Sequence, residues 1–437
     1  AEIGRSIHSI ALLSQQIPIP SSILETVGES GGLIHKTDVR SSMFARAQWL
    51  RELAYREADF VVLHVDGYNV IAPVAFGVEG GPPVLYLNHA AHLFWTGASI
   101  ADLVLNCRGS DLERLWTERY RGIPRCATLP IPIPAPKQQK AGKRIREQAK
   151  RDAKAALGIP PQFTVLLSVG DQYKYEAMPG LDFVEVAKTI LSRVPESYLV
   201  VVGVAETQRW KLASDQVGGR LKAVGRQSDV GRYHSAADIY LEGFPFGSTT
   251  ALLEAGTQGI PVVLSPAECP PPFGTDGIAL DSVVQRPESV KDYIETVVGL
   301  AVDTAGREHF GAAVSQSILG HHSGEGWLQH LRMAVASVPS QHARYMVSHP
   351  EPPPQEIEEY WNNFASAFEL DPLEHPFRSG VQAGVIPRMD RELLRICQQA
   401  RAVRKQRSTW LVVFFVLGWL LPLLPPRMRV GFYERAV

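Results

Sequence analysis

The chain has 437 residues, more than one small domain needs, so two or three domains are expected. Hydrophobic residues make up 45% and charged residues 20%, which excludes a disordered chain. A formal net charge of -1 removes any global electrostatic case for nucleic-acid binding. Cys107, Cys126, Cys269 and Cys397 are widely spaced, with no CxxC pair and no metal-ligand spacing, a pattern that suits a reducing compartment.

Residues 6–135 alternate strands and helices. Strands are expected at 9–13, 32–35, 59–65, 83–87 and 101–106, with helices at 41–56, 69–76 and 110–119, the last capped by Ser110. Strands separated by helices imply a parallel, doubly wound sheet. Pro130, Pro132, Pro134 and Pro136 then alternate with apolar residues. Each residue before a proline is pushed toward extended conformations, so 130–136 reads as a semi-rigid linker. After a charged helical lead-in at 137–154 the pattern restarts. Strands are expected at 164–170, 198–203 and 221–225, with an amphipathic helix over 181–194 and a short helix over 229–236.

The organising stretch follows. Residues 237–241 suit a buried strand, and Gly243, Pro245 and Gly247 break regular structure after it. Ser248 or Thr249 then caps a helix through Glu254 to Gly256, and Pro261-Val262-Val263 starts another strand. Strand, glycine-rich loop and helix start together form an anion site, because unpaired amides and the helix dipole both favour negative charge. The functional reading places a nucleoside diphosphate on Gly247, Ser248, Thr249 and Thr250, with Glu254 on the ribose. The plain reading is an ordinary cap and a solvent-facing glutamate.

Beyond Pro266 the sequence predicts helices over 288–302, 305–317, 326–338, 354–368 and 388–405. His321-His322 lies in a predicted Gly/Ser loop at the surface. The division is then 1–136, 137–340 and a helical extension over 341–437. Residues 410–424 are continuously apolar and flanked by Arg401, Arg404, Lys405, Arg407, Arg427 and Arg429. They are short of the ~20 residues a spanning helix needs. Either they dock on a membrane surface, with tryptophans and arginines at the headgroups, or they pack as a buried helix.

Two halves joined by a linker leave a cleft, and clefts take ligands. Lys174, in the loop after the first strand of the second half, is placed to neutralise a diphosphate, where charge builds as the sugar–phosphate bond breaks. Arg226 follows a later strand and either packs on a base or phosphate or lies on the surface. Asn88-His89 ends a strand in the first half, with His92 three residues on; His64 and Asp66 end another. These four, His64, Asp66, Asn88 and His92, are the acceptor-side candidates. His89-x-x-His92 lacks a third ligand nearby, and no Asp-x-Asp motif occurs, so no metal site is expected.

These residues resemble the GT-B superfamily of nucleotide-sugar glycosyltransferases, over roughly residues 6–340. Glu242-Gly243-Phe244, then Leu253-Glu254-Ala255-Gly256-x-x-Gly259-Ile260-Pro261-Val262-Val263, is similar to the family-4 pattern of acid, Gly-Phe, Leu-Glu-Ala, Gly, Pro-Val-Val. The two acids stand about four residues further apart here than in that pattern. Pro245 to Thr250 resembles instead the Gly-x-Thr-Thr diphosphate loop of O-GlcNAc-transferase-like enzymes, and Tyr173-Lys174 their phosphate lysine. Residues 83–89 and 101–106 are similar to the first-domain strand, His and Ala-Asp pattern.

The resemblance implies an α/β GT-B fold: two Rossmann-like doubly wound parallel-sheet domains facing across a cleft, with a helical C-terminal extension. It implies a metal-independent hexosyltransferase using a nucleoside diphosphate sugar, UDP favoured, with a glycan, lipid-linked or protein acceptor. His89, Lys174 and Glu242 are then the catalytic residues, with Glu242 near the donor sugar. Lys174, Arg226, Gly247, Ser248, Thr249, Thr250 and Glu254 hold the nucleotide. The expected partners are donor, acceptor and a membrane surface, without nucleic acid. The expected location is the cytoplasmic face of the membrane. Retaining and inverting chemistry both stay open. The competing readings are a soluble-acceptor GT-B enzyme or sugar-nucleotide epimerase, and a non-catalytic two-lobed binding protein.

Overall fold

The structure is a computed structural model. It describes residues 9–13, 18–65, 69–91, 97, 100–120, 122–123, 125–136, 143–339, 351 and 354–367. The expected helix at 388–405 and the apolar run at 410–424 lie outside the described residues. Among the described residues, one compact unit takes in those of 50–67 and 72–370, and a second those of 5–49 and 68–71.

In the second unit, β1 (Ile10–Leu12), α1 (Ser21–Glu29) and β2 (Ile34–Lys36) form one parallel βαβ element, with β1 and β2 in register at Ile10 and Ile34. The helix α2 (Met43–Glu57) begins in this unit and ends in the other.

The first unit holds two parallel sheets. The smaller is built from β3 (Val61–Leu63), β4 (Val84–Asn88), β5 (Leu103–Asn106) and β6 (Cys126–Thr128), side by side in chain order. The helices α3 (Ile71–Phe76) and α4 (Asp111–Leu115) belong to its crossovers, and α4 passes directly into a π-helical turn over Trp116–Tyr120. The fifth strand starts two residues later than the sequence suggests. Asp102 has turned its carboxylate onto the Val84 amide, 2.8 Å away, and is fully buried doing so. Ser110 caps α4 as expected, accepting from the Glu113 amide at 3.0 Å.

After the lead-in helix α5 (Lys143–Ala156), the larger sheet runs through β7 (Thr164–Val169), α6 (Phe183–Arg193), β8 (Ser197–Val202), α7 (Gln208–Gln216), β9 (Leu221–Ala223), α8 (Gly231–Ala236), β10 (Ile239–Leu241), α9 (Thr249–Thr257) and β11 (Val262–Val263). Its spatial order is β11-β10-β7-β8-β9. Both faces are covered because successive side chains alternate. Leu166, Leu199, Val201, Ile239 and Leu241 point to one core with α6 and α10 (Val290–Val302). Val165, Leu167, Val200, Val202 and Tyr240 point to the other, with α9 and α11 (Thr304–His322). Each such fully buried side chain contributes about 1.5–3 kcal/mol.

The C-terminal helices tie the two sheets together. In α12 (Gly324–Ala336), Ala334 packs with Leu85, Leu103 and Leu105 of the smaller sheet. In α13 (Gln355–Ala367), Tyr360 joins the core of the larger one. His321 and His322 are not in a surface loop: they close α11, with His322 buried on the same face as Gly311, Val314 and Ile318. The i, i+3, i+4 spacing of that buried face carries the helix past Gly320 to the cap of the next one. The linker 130–136 is extended and has no regular structure, as its prolines require.

Candidate functional site

In the parallel sheet ordered β9-β8-β7-β10-β11, the chain winds outward one way from β7 through β8 and β9 and the other way from β10 to β11, so the winding reverses between β7 and β10. The loops leaving those strands diverge there, and the crevice lies outside their carboxyl ends. The chain fills these two loops with Gly170–Tyr175 and Glu242–Ser248. A cavity of about 570 Å³ opens between them and the strand ends of the smaller sheet.

On the larger-sheet side the cavity is lined by Gly170, Asp171, Lys174 and residues 246–251. Ser248 is the N-cap of α9, yet its hydroxyl makes no capping hydrogen bond. The first amides of α9 therefore have no intrahelical partner and face the ligand end of the helix. Thr249 is held in place by a 2.9 Å hydrogen bond with the Thr275 hydroxyl. The Lys174 ammonium donates to the Gly247 carbonyl at 2.7 Å and sits 4.9 Å from the Phe246 ring centroid. Burial pushes the Lys174 pKa down, opposed by Glu242 and Asp171. A partly desolvated cation and a helix N-terminus thus meet at one place, which suits a diphosphate. The loop is braced from behind, where the Tyr360 hydroxyl donates to the Pro245 carbonyl at 2.5 Å and Phe246 meets Phe273 edge to face.

Opposite lie Asn88, His89, Cys107, Arg108 and Glu113 from the smaller sheet. His89 is exposed and meets His64 edge to face at 4.8 Å between ring centroids. Partial burial, and then the neighbouring His89, push the His64 pKa down. Burial pushes the Cys107 thiol up to about 12, so it is no nucleophile.

The structure brings His89, Lys174, Arg226, Gly247, Ser248, Thr249, Thr250 and Asn88 to this one cavity. Arg226 reaches it from an exposed position, paired with Asp171 at 2.8 Å. Glu254 stands one turn past the last lining residue of α9, half-buried, its pKa raised by burial. Asp66 and His92 lie outside the described residues.

Glu242 must be corrected. It is fully buried and does not line the cavity. One carboxylate oxygen accepts from the Ser265 amide at 2.7 Å and the other from the Thr275 amide at 3.0 Å, while its carbonyl accepts from the Tyr293 hydroxyl at 3.0 Å. With both oxygens engaged by backbone donors, Glu242 ties three loops together and cannot face a sugar.

Sequence reasoning missed Arg108, Glu113 and Asp276. The Glu113 carboxylate accepts from the amides of Cys107, Arg108 and Gly109, at 3.2, 2.8 and 2.8 Å. Ser110-x-x-Glu113 is a capping-box pattern that would have found it. Arg108 pairs with Asp276 at 2.5 Å, and the Ser110 hydroxyl donates to the same carboxylate. Nothing local marks that pair, whose members come from opposite halves of the chain. Among the described residues, no group of three or more His, Cys, Asp or Glu side chains is arranged to hold a metal.

No protein-family model and no curated protein matches the chain. Solved structures do. A glycosyltransferase from Rickettsia africae ESF-5 superposes with a TM-score of 0.56 at 10% identity, covering 76% of this chain and 90% of that one. Anabaena Alr3699/HepE, solved with UDP and glucose, gives 0.53 at 13% identity, covering 75% and 91%. Sucrose-phosphate synthase from Thermosynechococcus elongatus gives 0.50 at 13% identity, covering 75% and 98%. With its parallel sheets and the crevice at the switch point, the chain has the GT-B fold of these glycosyltransferases.

Proposed function

We propose that the protein is a glycosyltransferase that moves a hexose from a nucleoside diphosphate sugar, with UDP favoured, to a glycan, lipid-linked or protein acceptor. The observation that carries this reading is the meeting of the Lys174 ammonium with the uncapped N-terminus of α9 in a cavity lined on its far side by His89. The fold shared with the Anabaena protein solved with UDP and glucose supports the donor class.

In this reading the diphosphate lies on Gly247–Thr250, Lys174 balances the charge that grows on the leaving phosphate, and Glu254 takes the ribose hydroxyls. Arg226, at the cavity rim, takes the base or the first phosphate. The acceptor oxygen bonds to the anomeric carbon while the bond from that carbon to the phosphate oxygen breaks. His89 and His64 lie on the acceptor side. An inverting reaction would use His89 as the base for the acceptor proton; a retaining one would hand that proton to the leaving phosphate. Metal is not required, because Lys174 and the helix start supply the positive charge. We place the enzyme on the inner face of the cytoplasmic membrane through residues 410–424, which suits a lipid-linked acceptor. Among the described residues no helix is long and apolar enough to cross a membrane.

The test is binding and slow hydrolysis of UDP-, GDP- and ADP-sugars in metal-free buffer. One donor at a hundred times its Kd should stabilise the wild type by about 2.7 kcal/mol. Lys174→Ala should lose most of that, and Glu254→Ala should weaken every ribonucleotide alike. The anomeric form of the released sugar reports inversion or retention. If no nucleotide shifts the melting temperature, the glycosyltransferase reading fails and the ligand-binding alternative stands. Flotation with anionic vesicles, lost on deleting residues 408–437, tests the membrane assignment.

A further inference from the structure

The back of the diphosphate loop is held by the C-terminal extension. On α13, Tyr360 enters the core of the larger sheet at 8% exposure, with Ile357 packed against the same core from one turn earlier. The Tyr360 hydroxyl donates to the Pro245 carbonyl at 2.5 Å, and the Cys269 thiol donates to the same oxygen at 3.0 Å. Burial pushes the Tyr360 pKa up, so the phenol keeps the proton it donates. Pro245 stands two residues before Gly247, whose carbonyl receives the Lys174 ammonium.

A row of rings runs from α13 to that ammonium. Tyr360 lies tilted on Phe273 at 4.7 Å between centroids, Phe273 meets Phe246 at 5.8 Å, and the Lys174 nitrogen stands 4.9 Å from the Phe246 centroid. Phe246 and Phe273 line the cavity, and the Gly247 amide donates to the Phe273 carbonyl at 2.7 Å. Neither Tyr360 nor Pro245 lines it, so the tyrosine touches the loop and not a ligand. Residues 242–248 carry no helix or strand, so contacts of this kind set the shape of the loop. A loop left loose must be ordered when a ligand lands on it, and that cost is subtracted from affinity. A loop already held in shape binds without it.

We propose that Tyr360 is a positioning residue for the donor: through the Pro245 carbonyl and the Phe273–Phe246 row it holds the diphosphate loop and Lys174 ready for the phosphates, so that the C-terminal extension is part of the donor site. The assignment rests on the glycosyltransferase reading and adds to it an element that lies 115 residues along the chain from the loop it orders.

The test is calorimetric binding of UDP and GDP to the full chain, with urea unfolding and hydrogen exchange on the same proteins. Wild type, Tyr360→Phe, Tyr360→Leu and Trp327→Phe are compared. Tyr360→Phe keeps the ring on Phe273 and removes the hydroxyl, and Tyr360→Leu removes both. Trp327→Phe removes the bond to the Pro130 carbonyl in the linker and serves as the control for lost stability alone. The preferred diphosphate should weaken about fivefold in Tyr360→Phe and about twentyfold in Tyr360→Leu. Trp327→Phe should lower the urea midpoint and keep its affinity within about twofold. In Tyr360→Phe the amides of 243–250 should exchange faster, while β7 and β8 keep their protection. Tyr360→Phe decides alone if Tyr360→Leu does not fold by near-ultraviolet circular dichroism.

The proposal is overturned by a Tyr360→Phe protein that binds the diphosphate as wild type does, or whose 243–250 amides exchange no faster. It is also overturned if Trp327→Phe, at an equal loss of urea midpoint, weakens the diphosphate as much. In each of these cases the wild type still binds nucleotide and the glycosyltransferase reading stands. A wild type that binds neither UDP nor GDP removes that reading, and this assignment with it.

Discussion

Glu242 shows how a side chain of the right chemistry is taken out of a site by its surroundings. In the sequence it is an acid beside Gly243-Phe244, at the end of a strand and next to a phosphate-type loop. In the structure it is fully buried, holding the Ser265 and Thr275 amides. Glu242→Gln would turn one acceptor into an amide donor facing a backbone N–H. That costs about 1–3 kcal/mol. Urea unfolding should show the loss, and the folded variant should keep its affinity for sugar nucleotides within about twofold. Lost affinity with unchanged stability would restore Glu242 to the sugar site. Lys174 and the Ser248–Thr250 run were legible because strand, loop and helix start are consecutive in the chain. Arg108 was not, because the Asp276 loop that fixes it, and that also accepts from Ser110, is 166 residues from Ser110.

At the scale of elements, the β10 to α9 connection is the most constrained piece of the molecule. The Gly247 amide donates to the Phe273 carbonyl at 2.7 Å, and its carbonyl receives Lys174 at 2.7 Å. A methyl group at this residue would collide with the Glu242 carboxylate, so the glycine is needed for close approach and not for an unusual backbone angle. Gly247→Ala should therefore displace the loop from Lys174. Diphosphate binding should fall by about tenfold or more, since a hydrogen bond to a charged group is lost. Titration of UDP and GDP against the folded variant measures this, and unchanged affinity would mean the loop is not where the phosphates bind. The extension of α11 through His322 was hidden because Gly320 and Ser323 read as loop residues. Packing of Val314, Ile318 and His322 on one face outweighs the roughly 1 kcal/mol a helical glycine costs.

At the scale of the whole molecule, the linker between the two sheets of the larger unit is gripped by the ends of α11 and α12. Trp327 donates to the Pro130 carbonyl at 2.7 Å, His322 bonds the Ile131 carbonyl at 2.8 Å, and the Ile133 amide donates to the His322 carbonyl at 2.8 Å. Burial pushes the His322 pKa down to about 4 from 6.5, with the Ile131 hydrogen bond opposing and His321 and His330 adding to the fall. The folded protein thus refuses a proton that the unfolded chain accepts. Stability is full above the unfolded value and declines as pH drops from about 6.5 to about 4, by on the order of 3 kcal/mol. His330, lowered by burial and by His321, works in the same direction. The urea midpoint should therefore fall between pH ~7 and ~4.5. His322→Asn, which keeps a donor for Ile131, should flatten that fall; an unaltered pH slope would show that another group carries it.

The sequence by itself determined the alternation of strands and helices, the extended proline linker and the phosphate-type loop. Each is written in neighbouring residues, through apolar periodicity, restricted backbone angles and glycine placement. Only the tertiary structure decided which acids and bases share a surface. It buried Glu242 beneath the loop, left Glu254 one turn beyond the cavity lining, and set Arg108 against Asp276. Those outcomes depend on how closely distant segments approach and how much water they exclude, and no local pattern of residues records either quantity.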